Sequence, residues 1–222
     1  MPRTARASVG GLCYHAINRG NGRAAVFHKD ADYHAFVELI AQACERIPMR
    51  VLGYCLMPNH FHLAVWPYGD GELSRWMQWL LTAHVRRYHQ HHGTSGHVWQ
   101  GRFKAFPIQQ DTHLLTVLRY IEANPLRAKL VTRAEEWPWS SLSGRRSRNW
   151  GRLLYKWPVD QPSNWTMQVN QTMPDGEVDV VRRSVNRGTP FGAGIWVSPM
   201  ATRLGLESSL RPRGRPRKNA KK

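Results

Sequence analysis

"MRVLGYCLMPNHFHLAVWP" (49–67) holds two apolar, aromatic-containing runs separated by a single Pro-Asn pair. Such runs read as strands and Pro-Asn as a turn, and two strands joined so briefly must form an antiparallel hairpin. Strands are expected at 49–57 and 60–66, with Pro58 and Asn59 between them. Alternation in the second strand puts Phe61, Leu63 and Val65 on one face, and His60, His62, Ala64 and Trp66 on the other. The first set is a core face. The second sets two imidazoles about 6.5–7 Å apart along the backbone, close enough to meet on one divalent ion or one phosphate.

Upstream, "GGLCYHAINR" (10–19) reads as a strand ended by the turn-rich "GNG". From Asp30 the period becomes helical, with Phe36, Ile40, Ala43, Cys44 and Ile47 at steps of three and four, and Pro48 stops it. Downstream, a helix starts near Glu72 with Leu73, Trp76, Met77, Leu80 and Leu81 on one face, and "GRFKAFPIQ" (101–109) is a fourth strand. The order is βαββαβ. It predicts an α+β, ferredoxin-like core: an antiparallel sheet with both helices on one face.

A further helix is expected over "DTHLLTVLRYIEANP" (111–125), capped by Asp111 and closed at Pro125. Leu114, Leu115, Val117, Leu118 and Ile121 form its apolar face, while His113, Tyr120 and Asn124 fall together along one edge. Tyr120 and Asn124 are one turn apart, so a phenol and an amide oxygen are presented side by side. Two imidazoles and an amide oxygen make a mixed site with open positions, suited to Mg²⁺ or Mn²⁺ with waters. Such an ion would polarise a scissile phosphate, and Tyr120 would be the covalent nucleophile. With an ordinary phenol pKa of ~10, the tyrosine needs a metal, a cation or a base beside it.

Composition points to a polyanion partner. The 32 Lys and Arg outweigh 15 Asp and Glu, giving a net charge of +17. "RPRGRPRKNAKK" (211–222) holds seven basic residues, and removing it still leaves +10 on the body. Its Gly-Arg-Pro core resembles the AT-hook, whose arginines lie in the minor groove of A·T-rich duplex; a plain polybasic tail is the other reading. Arg213, Arg215 and Arg217 would carry the hook, and Arg145, Arg146 and Arg148 form a second basic cluster. Arg102 and Lys104 lie on the polar face of the fourth strand, where Trp99, Phe103 and Phe106 are expected as core, and Arg19 ends the first strand. These nine arginines and lysines are the expected DNA contacts.

Residues 1–149 read as one catalytic domain and 150–222 as an irregular basic extension, because periodicity fades after Pro138. Trp137, Trp139, Trp150, Trp157 and Trp165 either stack on unpaired bases or pack the extension onto the body. "HQHHGTSGH" (89–97) lacks a Cys or carboxylate to complete a zinc site, so its histidines are expected to interact with a helix end or DNA phosphate. Cys13, Cys44 and Cys55 are scattered and odd in number, as expected of buried thiols in a reducing compartment. The absence of a signal-peptide core and of any ~18–20-residue apolar run predicts a cytosolic, nucleoid-associated protein, not a membrane protein.

"MPNHFHLAVWP", then "VWQGRFKAFPI" and "LRYIEANPLRAKLV", with "YHAINRGN" at the first strand, closely resemble the REP-associated tyrosine transposases over roughly residues 8–145. That family belongs to the HUH (His, bulky hydrophobe, His) endonucleases and is related to insertion-sequence-200-type single-strand transposases. The resemblance implies His60, His62 and Asn124 as metal ligands and Tyr120 as sole nucleophile. It implies cleavage and rejoining of a single-stranded hairpin through a 5′-phosphotyrosine, by a monomer or homodimer. The competing readings are a non-catalytic binder of structured DNA and a hydrolytic metal-dependent phosphodiesterase.

Overall fold

The structure is a computed structural model, and it describes residues 8–145 and 153–211. Four strands, β1 (Cys13–Arg19), β2 (Met49–Met57), β3 (His60–Pro67) and β4 (Lys104–Ile108), form one antiparallel sheet in the order β2-β3-β1-β4. Helices α1 (Asp30–Arg46) and α2 (Glu72–His92) complete the βαββαβ order. This is the expected ferredoxin-like topology.

Alternation sorts the sheet into two cores. Tyr14, Ala16, Leu56, Phe61, Leu63 and Val65 pack with Phe36 and Ile40 of α1 and Leu73, Trp76, Met77 and Leu80 of α2. Each large apolar side chain buried there contributes roughly 1.5–3 kcal/mol. The opposite face carries Cys13, Cys55, Met57, Ala64, Phe106 and Ile108, and helix α3 (Thr112–Glu122) covers it with Leu114, Val117, Leu118 and Ile121. Trp99 and Phe103 join the first core and Phe106 the second, so all three aromatics are core as expected. Cys13 and Cys55 are buried free thiols, and Cys44 is half-buried.

Helix α3 starts at its predicted cap, where the Asp111 carboxylate accepts from His113 N–H at 2.8 Å. Its end differs from the expectation. The helix stops at Glu122, and Asn124 opens a separate short helix, α4 (Asn124–Arg127), with Pro125 in its first turn. Proline lacks an amide proton and tolerates only a helix's first turn, so the chain restarts around it.

The extension is helical where an irregular segment was expected. The short helix α5 (Ser141–Gly144) precedes the extension, which carries α6 (Trp165–Asn170), α7 (Asp175–Arg187), α8 (Gly194–Arg203) and α9 (Glu207–Leu210). Most of these helices are too short for a repeating apolar stripe, and in α7 the stripe is narrow, with Val178 and Val181 buried amid charge. Both edges of the sheet are bridged by later chain, Val51 to Leu154 and Ile108 to Phe191, which covers otherwise open strand edges. Trp139, Trp157 and Trp165 are buried, which settles their reading as packing. Trp150 lies outside the described residues.

Candidate active site between the sheet and helix α3

The side chains of His60 and His62 point from β3 toward α3, with ring centroids 5.0 Å apart. The Tyr120 ring meets them from α3, edge-on to His62 at 5.8 Å. His15 of β1 completes the cluster: it stacks on His62 at 4.9 Å and lies 6.2 Å from Tyr120. Antiparallel pairing places His15 opposite Ala64 and Ile17 opposite His62, so His15 is a diagonal neighbour on the same face.

The imidazoles are linked to neighbours in a way that suits metal ligands. His60 Nδ1 lies 2.6 Å from Asn59 Oδ1, which can only accept, so Nδ1 carries the proton and Nε2 keeps a lone pair. His62 Nδ1 lies 2.8 Å from His15 Nε2. If His62 donates, its Nε2 is likewise free, and His15 carries its proton on Nδ1, which is buried without a partner. Burial pushes His15 down to about 3 and His60 down to about 4, the latter with help from the charges of Arg19 and Arg127. His62 is also held well below the ordinary histidine range, first by burial and then by its charged neighbours. Neutral imidazoles offer lone pairs to a cation and cannot act as cationic phosphate contacts at neutral pH.

Asn124 is brought to this group through Arg127, a residue the sequence reading did not single out. The Arg127 guanidinium lies over the Tyr120 ring at 4.2 Å and donates to Asn124 Oδ1 at 2.8 Å. That bond fixes the amide's orientation, since only an oxygen can accept it. Asn124 Oδ1 keeps its second lone pair for a ligand, and Asn124 Nδ2 is buried with no partner. His113, grouped with Tyr120 on the helical wheel, instead pairs with Asp111 at 2.7 Å and packs on Phe191.

Of the expected DNA contacts, Arg19, Arg102 and Lys104 line one cavity of about 310 Å³, with Asn18, Gln100 and Asn186. Arg19 pairs with His60 across the β1–β3 ladder, so this cavity adjoins the histidines. Arg145 is engaged inside the protein. Its guanidinium pairs with the fully buried Glu122 carboxylate, donates to Leu52 O at 3.1 Å and lies over the Trp157 ring, which makes it a structural cation. Arg146, Arg148, Arg213, Arg215 and Arg217 lie outside the described residues, as does the AT-hook-like tail.

The family model described as "Transposase IS200 like" matches residues 8–124, which include both histidines, Tyr120 and Asn124. The chain belongs to the IS200-like transposases. It is 30% identical over 123 residues to a Haemophilus influenzae protein named, provisionally, a REP-associated tyrosine transposase, covering 50% of this chain and 69% of that one. It is 25% identical over 154 residues to the REP-associated tyrosine transposase of Escherichia coli K12, covering 68% and 84%. The protein is therefore a transposase of the REP-associated tyrosine group. A solved REP-associated tyrosine transposase bound to a REP hairpin shares the fold, with a TM-score of 0.56 and 19% identity over 73% of this chain and 96% of that one. Among the described residues, no helix of the transposase is long and apolar enough to cross a membrane.

Proposed function

We propose that this transposase cleaves and rejoins single-stranded hairpin DNA by transesterification, with Tyr120 as nucleophile. The observation that carries the reading is that the Tyr120 ring meets both His62, the strand neighbour of His60, and the Arg127 guanidinium. The fixed tautomer of His60, the His15–His62 bond and the open lone pair of Asn124 Oδ1 fit a divalent ion. Mg²⁺ or Mn²⁺ held by His60, His62 and Asn124 would act as a Lewis acid on a phosphate oxygen.

The chain's own residues do the rest. Tyr120 Oη attacks phosphorus, the P–O3′ bond breaks, and the departing oxygen takes a proton to become a free 3′-OH. The phenol proton passes to water. The resulting 5′-phosphotyrosine preserves the ester, so attack by a 3′-OH rejoins strands without ATP. Arg127, stacked beside the ring, sets a fixed positive charge where negative charge grows on the phosphate. Arg19, Arg102 and Lys104 hold the strand by its phosphates, and the bound hairpin of the solved relative supports the choice of substrate.

The test uses end-labelled single-stranded hairpins from DNA beside this protein's own gene, with Mn²⁺ or Mg²⁺, run on denaturing gels. A covalent protein–DNA band that is absent in Tyr120→Phe is expected. Cleavage without an adduct would replace the proposal with hydrolytic phosphodiesterase action. Tight binding with no cleavage of any hairpin tried would replace it with non-catalytic recognition.

A further inference from the structure

Away from Tyr120, on the side of the sheet covered by α1 and α2, Asp32, His91 and His92 each bring one ligand atom to within 4.8 Å of the others. Asp32 stands in the first turn of α1, and the two histidines end α2. The fold thus supplies, from a distant helix, the carboxylate that the 89–97 histidine run lacks by itself. His89 does other work: its ring nitrogens lie 2.9 Å from Thr94 Oγ1 and 3.0 Å from Gly96 O, which closes the loop after α2.

Asp32 and His92 are held in place. Asp32 Oδ2 accepts from the backbone N–H of His28 at 2.8 Å and of Lys29 at 3.2 Å, which orients the carboxylate and leaves Oδ1 available. The His92 ring is packed among Tyr88 at 4.4 Å, His91 at 4.8 Å and His28 at 5.1 Å. His28 is itself fixed by a 3.0 Å contact between Nε2 and the Tyr88 hydroxyl. Asp32 and the negative end of the α2 dipole favour a cation, against the opposing charge of Arg87 on the same cavity wall. Two imidazoles and one anionic carboxylate with open positions are a donor set of zinc and its neighbours, the carboxylate supplying the charge that a neutral amide oxygen lacks.

We propose that Asp32, His91 and His92 bind a transition-metal dication of the Zn²⁺ class at a second site, separate from the tyrosine centre. The ion would tie the start of α1 to the end of α2. It would also brace the segment before α1, whose Val26 and Phe27 amides donate to Pro58 O at 2.8 and 3.1 Å, in the turn that precedes His60.

The experiment uses untagged full-length protein carrying His60→Ala and His62→Ala, so that ions at the tyrosine centre do not contribute. Co²⁺ is titrated by visible absorption and Zn²⁺ by calorimetry. This background should bind one equivalent and gain thermal stability with Zn²⁺. Adding His91→Ala and His92→Ala, or only Asp32→Asn, which keeps the helix cap, should weaken binding by at least about 100-fold, since outer-shell changes alone cost about 10–100-fold. No binding by the folded background, or equal binding with and without His91 and His92, would overturn the site. Neither result depends on DNA cleavage.

Discussion

Arg127 holds Tyr120 and Asn124 together: its guanidinium lies 4.2 Å from the tyrosine ring centroid and donates to Asn124 Oδ1 at 2.8 Å and to Tyr120 O at 3.3 Å. One planar cation thus spans the break between α3 and α4. Arg127→Ala should slow adduct formation by about 10²–10³, the range for removing one preorganised charge donor. Arg127→Lys should recover only part, because an ammonium keeps the charge but loses the planar fork. Single-turnover adduct formation is the readout, and an unchanged rate in Arg127→Ala would remove this residue from the reaction.

His15 touches His62 but needs no contact with DNA to matter. As the partner of His62 Nδ1 at 2.8 Å it would set the tautomer and ring orientation of the proposed ligand. His15→Phe should weaken metal support of cleavage by about 10–100-fold. The Mn²⁺ concentration giving half-maximal cleavage should rise accordingly. No change in that midpoint would make His15 a packing residue.

Arg102 and Lys104 are exposed on the wall of the cavity next to His60. If each neutralises one phosphate of a single strand, Arg102→Ala and Lys104→Ala should each lower the slope of log affinity against log salt by about 0.7. The loss should be uniform across sequences. A slope identical to the parent's would place the strand elsewhere.

Glu122 is fully buried, and Ser141, Arg145 and the Trp165 indole N–H all donate to it. Glu122→Ala would leave Arg145 without its counter-charge and should cost about 3–5 kcal/mol in urea unfolding. A loss below about 1 kcal/mol would mean that Arg145 finds water easily.

Acid should destabilise the protein in a defined window. Burial lowers His15 and His84 to about 3 and His60 to about 4, whereas the unfolded chain titrates near the ordinary ~6.5. Below pH ~6.5 the unfolded state takes up protons that the native state refuses, so stability is full above that pH and falls as pH drops toward 3. Each such histidine contributes a slope of about 1.4 kcal/mol per pH unit. His84 packs among Phe27, Phe36 and Trp99, away from the tyrosine centre. Urea denaturation of His84→Leu at several pH values should show the slope reduced by one histidine's share, and a parallel pH curve would refute the assignment.

What the sequence discloses is largely local. The hairpin, the facing of His60 and His62, and the cap at Asp111 follow from alternation and turn chemistry within a few residues. His15 belongs to the site only because β1 pairs with β3, and its signal was an imidazole set among Cys13, Tyr14, Ala16 and Ile17 in the strand. Arg127 lies three residues past Asn124 and seven past Tyr120, a helical spacing that continues across the α3–α4 break, and it is missed when the helix is read as closed at Pro125. Arg145 shows the converse: its place in a basic cluster is a local fact, whereas Glu122 and Trp157, which bind it, come from elsewhere. The helices of the extension stayed hidden because their few buried valines sit among charges.

Gly53, at the irregularity in the β2–β3 ladder, gives the site its clearance. A Cβ there would come 2.7 Å from Leu118 Cδ2 and 3.2 Å from Ser141 Oγ, so a bare α-carbon lets α3 settle onto the sheet. The height of the tyrosine above the histidines is thus gauged by the missing methyl of a residue that touches none of them. A substitution at this one position would act as a shim against Leu118, pressing on the helix that carries Tyr120 while the tyrosine and the histidines stayed chemically intact.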